Sequence, residues 1–373
     1  MTLHWQRAVF WPAALGALAP LILPLSIDAT AILSVRPGPL IAVLVEVLTF
    51  ATAPFWPAAT AALGLIGTVS GCIATLALVS DGDIAGSAGL GFWLLTLATW
   101  LGAALTLSDL AGLRMPASPA RRVQEIAIPL LFGAFVIYLW EVAVRGFGIS
   151  PVLLPTPSAT AERLVHSLPT LSEDFVQTFV RGVLTGYAIG CGAGFLVAVV
   201  AHRFVFLERG LLPLGNFVSA LPIVGIAPIM VMWFGFDWGS KAAVVAVMCF
   251  FPMLVNTLAG LAAAGKIERD LMRSYGAAPG QTLVKLYLPA AMPFIFNALK
   301  INSTLALIGA IVAEFFGTPT RGIGFRISIE VARMSLDMVW AEIALAAVAG
   351  MAFYGIVALA ERATTFWHPS YRT

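Results

Sequence analysis

The chain has 373 residues, 60% hydrophobic and only 11% charged, where a soluble domain averages about 25% charged. A mean hydropathy of +0.94 and repeated apolar runs of about 20 residues imply an all-α, polytopic membrane protein. The formal net charge is only +2, with arginines scattered at run ends, so no nucleic-acid partner is expected. The three cysteines (Cys72, Cys191, Cys249) all sit in apolar runs, which excludes a disulfide framework and a cysteine metal site.

The first run covers residues 8–27, behind Arg7. It reads as a membrane helix or as a cleaved leader with Ala29-Thr30-Ala31 as the cleavage triplet. Its length, and Pro20 and Pro24 within it, favour the helix. Residues 38–54 and 57–80 form two more spans around a hinge at Pro54 to Pro57. Glu46 lies mid-span, where a charge is costly, and is expected to pair with another helix. A loop with Asp81 and Asp83 leads to a fourth span at 89–110. Arg114, Pro116, Pro119, Arg121 and Arg122 then mark a short linker. The domain reading is an N-terminal extension of about four spans (1–112), a linker (113–125) and a second block (126–373).

The second block carries six spans, at 126–145, 178–201, 208–234, 241–263, 290–316 and 336–360. A Pro- and Ser/Thr-rich segment, Gly146 to Phe175, separates its first two. With 114–122 inside, counting spans puts 202–209, 266–285 and the tail with Arg362 and Arg372 inside as well. Arg145, Arg163, Lys241, Arg321, Arg326 and Arg333 then fall outside. The Lys/Arg bias is clear in the linker and at 266–285, and the three arginines at 317–335 run mildly against it. Trp233, Trp238 and Trp340 read as interfacial anchors.

Asp270 to Pro289, DLMRSYGAAPGQTLVKLYLP, is the longest polar interruption in this block, within a loop at 264–290. Ile267, Leu271 and Tyr275 fall at i, i+4 and i+8, one face of a helix, with Glu268, Asp270 and Arg273 off the stripe. Gly276 supplies a stop where positive φ costs little. Pro279 can open a second short helix, and Pro289 is expected to end it. The product is a water-facing knob between two spans.

No G-x4-G-K-[ST] phosphate loop exists, because Gly265-Lys266 is followed by Ile267. The four histidines (His4, His166, His202, His368) show no metal spacing and no catalytic triad is suggested. The chain is therefore read as carrying no catalytic residue, no metal and no cofactor of its own. Polar residues inside spans mark either a pathway or helix–helix hydrogen bonding. The candidates are Asn256, Thr257, Asn297, Lys300, Asn302, Ser303, Thr304 and Glu314. Lys300 is expected to snorkel to the interface, and Glu314 to be a gate residue or an interfacial acid. Pro222 and Pro228 share one expected span, where bends would open a mid-membrane cavity or only improve packing. The pathway set is Pro222, Pro228, Asn256, Asn302, Ser303 and Glu314.

The spacing acid-x5-Gly-x9-Leu-x-Leu-Pro, read on Asp270, Gly276, Leu286, Leu288 and Pro289, resembles the "EAA" loop of bacterial ABC importer permeases. Leu271 and Met272 stand where that family has two alanines, and Asp270 replaces the usual glutamate. LPTPSAT (154–160), ALPIVGIAPIMVMWFG (220–235), FFPMLVNTLAG (250–260) and LIGAIVAEFFG (307–317) are similar to the nitrate/sulfonate/taurine-type permeases, over roughly 125–373. The resemblance implies a six-helix type I permease core in the bacterial inner membrane, preceded by about four extra helices. It implies coupling to a separate ATPase subunit, which binds ATP and Mg, through Asp270, Arg273, Tyr275, Gly276, Leu286, Leu288 and Pro289. It implies an extracytoplasmic solute-binding protein, a permease homodimer in lipid, and a nitrate-, sulfonate- or taurine-like solute. A vitamin-like heterocycle is the alternative solute. An ATP-independent secondary transporter is the alternative from another class, although it would leave the knob idle.

Overall fold

The structure is a computed structural model that describes residues 10–27, 36–55, 59–80, 82, 84–113, 119–219, 222–317 and 321–367. Arg7, Ala29-Thr30-Ala31, Pro57, Asp81, Asp83, Arg114, Pro116 and the tail from His368 lie outside the described residues. The chain folds as two compact units, 1–161 and 162–373.

The first unit contains α1 (Phe10–Ala17), α2 (Ala19–Ile22), α3 (Pro37–Thr52), α4 (Thr60–Val79), α5 (Leu90–Gly112) and α6 (Pro119–Gly146). Small residues let these helices approach closely. A Cβ on Gly71 of α4 would sit 2.4 Å from Thr99 Oγ1 and 2.5 Å from Glu46 Oε1. Fully buried Glu46 finds its expected partner in Thr99, whose hydroxyl donates at 2.8 Å. The Tyr138 and Thr75 hydroxyls meet at 2.6 Å and tie α6 to α4. The helix over 126–145, counted above with the second block, thus packs inside the first unit.

LPTPSAT builds the start of α7 (Pro157–His166). Thr156 Oγ1 accepts the Ala159 N–H at 3.2 Å, as an N-cap does. Glu141 accepts both the N–H (2.9 Å) and the hydroxyl (2.7 Å) of Ser158.

The second unit is built around α12 (Trp238–Ala262), packed between α9 (Thr185–His202) and α15 (Leu288–Glu314). Its core is rich in small side chains, among them Cys191, Cys249, Ala291, Ala298, Ala306 and Ala310. α8 (Leu168–Phe175) joins α9 through a wide π-helical segment, Val176–Leu184, so this span runs from Leu168 to His202 and begins earlier than expected. α16 (Ile323–Ala332) and α17 (Leu336–Thr364) complete the unit.

Among the described residues, eight helices are long and apolar enough to cross a membrane; Phe10–Ile22 and Ile223–Phe234 are apolar but shorter. The expected single span at 208–234 is two helices, α10 (Val205–Ser219) and α11 (Ile223–Phe234). Pro222 caps α11 with an extended ψ of 124°. That extended ψ at Pro222 itself is incompatible with a continuous helix, so the run is broken there rather than bent. Pro228 remains inside α11.

Candidate functional site

The knob opens with α13 (Lys266–Ser274), none of whose residues is buried. Its turn is fixed by backbone geometry. Gly276 has φ +62°, its N–H donates to Arg273 O at 2.9 Å, and the Ala277 N–H donates to Met272 O at 3.0 Å. That pair of bonds is a Schellman motif, which needs a left-handed residue at the glycine. The expected second helix follows as α14 (Pro279–Thr282), where the Gln281 side chain accepts the Ala278 N–H at 3.1 Å.

Pro289 does not end this helix. α14 continues through a π-helical stretch, Leu283–Tyr287, into α15, giving one helical run from Pro279 to Glu314. A proline ring collides with the carbonyl four residues back in a regular helix. The wide turn here covers Lys285, the residue four back from Pro289, and absorbs that conflict.

The two halves of the knob differ in environment. Ile267, Leu271 and Tyr275 do share one face of α13, and they are 82%, 53% and 80% exposed. Asp270 and Arg273 flank that stripe, 3.9 Å apart and exposed, a pairing worth little by itself. Leu283, Tyr287 and Leu288 instead pack against the core of the unit, and Leu286 and Pro289 are half-buried. An uncovered apolar stripe is therefore joined through a tight turn to a helix rooted in the bundle.

A buried charge cluster occupies the other ends of these spans. Asp174, fully buried, accepts the Gly322 N–H at 2.6 Å and Arg326 Nε at 2.8 Å. Burial works against the Arg326 charge, but the hydrogen bond and charge of Asp174 outweigh it and lift the guanidinium above its ordinary value. Glu314 accepts the Thr178 hydroxyl at 2.8 Å and the Gly324 N–H at 2.7 Å. Thr178 in turn accepts the Ile323 N–H at 2.8 Å. Lys241, 2% exposed, donates to the carbonyls of Phe236 and Gly317. Glu342, fully buried on α17, stands within electrostatic reach of Asp174, Arg326 and Glu314. The three arginines that ran against the charge bias are each paired with an acid. Arg321 meets Glu173 at 3.4 Å, Arg326 meets Asp174, and Arg333 meets Glu330 at 3.2 Å.

Residues 190–366 match the family model described as binding-protein-dependent transport system inner membrane component. The chain is 31% identical over 209 residues to the formylaminopyrimidine transport permease protein of Halalkalibacterium halodurans, covering 55% of this chain and 81% of that protein. The chain belongs to this permease family. It is 28% identical over 261 residues to the taurine transport system permease protein of Escherichia coli, covering 65% of this chain and 90% of that one. It is 25% identical over 246 residues to the riboflavin transport system permease protein of Chloroflexus aurantiacus, covering 66% and 91%. The permease is thus a multi-pass inner-membrane transport subunit of the ABC importer type, and nothing in these relatives supports the ATP-independent alternative.

Within the permease, the polar candidates separate by exposure. Asn302 and Ser303 are fully buried between helices. The Asn302 amide donates to Cys249 O at 2.8 Å and Cys191 Sγ at 3.2 Å, joining α15 to α12 and α9. The Ser303 hydroxyl donates back to Lys300 O at 2.7 Å. The Asn302 amide nitrogen thus bridges helices, while its buried Oδ1 has no hydrogen-bond partner among the described residues. Lys300 does not merely snorkel, because its amine meets Glu361 of α17 at 2.7 Å. Half-buried Asn256 donates to Pro252 O at 2.8 Å and accepts the exposed Asn297 amide at 3.5 Å. Phe294, Asn297, Ile301, Thr304 and Ile308 form one exposed stripe along α15.

Sequence reasoning missed Asp174, Thr178, Lys241, Arg326 and Glu342. A signal was available in the span count, which places all five, with Glu314, at the same membrane face.

Proposed function

We propose that two copies of this permease pair around a pathway and are driven by a separate ATPase subunit that docks on the knob and binds the ATP and Mg. The observation that carries this reading is the uncovered stripe of Ile267, Leu271 and Tyr275 on a helix with no buried residue. An amphipathic helix held on a rigid turn with its apolar face bare is a surface made for a groove. Closure of the ATPases would press on α13. The continuous run from Pro279 to Glu314 would carry that displacement into the bundle. This chain supplies no catalytic group and binds no cofactor. Asp270, Arg273, Tyr275, Gly276, Leu286, Leu288 and Pro289 form the coupling set.

The pathway side is read as the exposed stripe of α15 with Asn297 and Thr304, assisted by Asn256 and by the break at Pro222. Asn302, Ser303 and Glu314 hold the surrounding helices in place. A solute-binding protein delivers cargo to the end that carries the Asp174–Glu314 cluster. The cargo is a small polar solute of the taurine or sulfonate kind. A vitamin-like heterocycle is the second reading, favoured by the formylaminopyrimidine and riboflavin relatives named above.

Reconstitution of the permease with its ATPase and binding protein in proteoliposomes tests this. ATP-dependent uptake of labelled taurine, competed by alkyl sulfonates and indifferent to a formylaminopyrimidine, is expected. Uptake without ATP that follows an ion gradient would overturn it.

A further inference from the structure

We propose that the basic cavity beneath the knob binds the phosphate of an anionic membrane phospholipid. The cavity, about 710 Å³, lies between the end of α9 and the knob. Its lining includes Arg203, Arg269 and Arg273 beside His202, and among the described residues no carboxylate lines it. Arg273 has Asp270 at 3.9 Å. Arg203 and Arg269 make no ion pair with any described residue. Two guanidinium groups with no ion pair, lining a hollow beside a third that is only loosely paired, match a phosphate, which they bind with paired N–H groups.

The surroundings select a lipid over a free phosphate. The cavity sits where the span Leu168–His202 ends, at the depth of the headgroups. Its wall includes Val200 and Phe204. With Ile189 and Leu196 these two form an exposed apolar stripe on one side of α9 and its end. An acyl chain lying on that stripe places its phosphate among Arg203, Arg269 and Arg273. An acidic groove on a protein partner would satisfy the arginines but would not need the apolar track. The inner-leaflet placement rests on the docking reading of the knob; the lipid contact does not. A lipid held there would fix the base of the knob to the membrane surface.

The test is native mass spectrometry of the full-length permease purified without its ATPase, after exchange into detergent with phosphatidylglycerol or phosphatidylcholine. Preferential retention of phosphatidylglycerol is expected. In an Arg203→Gln/Arg269→Gln variant, affinity should fall about 30-fold, or about 2 kcal/mol, at roughly 1 kcal/mol per basic residue near an anionic surface. The Arg203→Lys/Arg269→Lys variant keeps the charge and should keep most of the preference, which guards against misfolding as the cause. An Arg362→Gln control, which removes an arginine that does not line the cavity, should retain the lipid. Equal retention of both lipids, or full retention in the Gln variant, would overturn the proposal. So would displacement by millimolar glycerol phosphate, which would make this a soluble-phosphate site. Loss of lipid with ATPase docking intact would sink only this inference. The reverse would sink only the docking reading.

Discussion

Gly276 allows the coupling turn to be tested without touching the bundle. Its φ of +62° is left-handed, and a Cβ built there meets nothing within 4 Å. Any effect of substitution is therefore backbone strain and not a clash. An L-residue in this region costs roughly 1–2 kcal/mol, which lowers the population of the native turn by about 5- to 30-fold. A β-branched side chain costs more, and asparagine less. The two Schellman bonds, to Arg273 O and Met272 O, are lost together when the turn opens. No α13 residue is buried, so the cost falls on the knob alone. Uptake in reconstituted vesicles should decline in the order Gly276, Asn, Ala, Val, with the melting temperature of the permease unchanged. Wild-type uptake by Gly276→Val would refute the turn argument. A large drop in its melting temperature would refute the independence of knob and bundle.

The buried cluster gives two stability predictions. Arg326→Met leaves Asp174 buried without its cation and should cost roughly 3–5 kcal/mol, read as a lower melting temperature in detergent. Asp174→Asn combined with Arg326→Met should recover most of that loss. Gly322→Ala places a methyl 2.4 Å from Glu314 Oε1 on a backbone with φ +129°. It should lower the melting temperature by more than Gly239→Ala does, at a half-buried glycine in the first turn of α12 where nothing lies within 4 Å; equal stability of Gly322→Ala and Gly239→Ala would contradict the packing argument.

Much of the architecture was legible because bilayer length and helical periodicity are local properties. The apolar stripe of α13, the left-handed Gly276 and the start of α14 at Pro279 all follow from residues within a few positions of one another. Two local rules were overridden. Pro289 reads as a stop, yet the π-helical turn over Leu283–Tyr287 carries the helix past it, and no residue type announces such a turn. Pro222 reads as a kink, yet it caps a new helix. The partners of the buried charges were beyond local reading. Arg326 and Asp174 stand 152 residues apart, and only the folded unit brings them to 2.8 Å. Asn302, read as either pathway or packing, donates to Cys191 and Cys249 across helices, residues that composition marked only as lying in apolar runs.

The most direct measurement is co-purification of the permease with its ATPase subunit, comparing wild type with an Ile267→Asp/Tyr275→Asp variant. Both side chains are about four-fifths exposed, so the substitutions leave the bundle intact while removing the apolar face of α13. Retention of the ATPase by the wild type and its loss from an otherwise folded variant is the predicted result. Equal retention by both proteins would show that the motor engages the permease elsewhere.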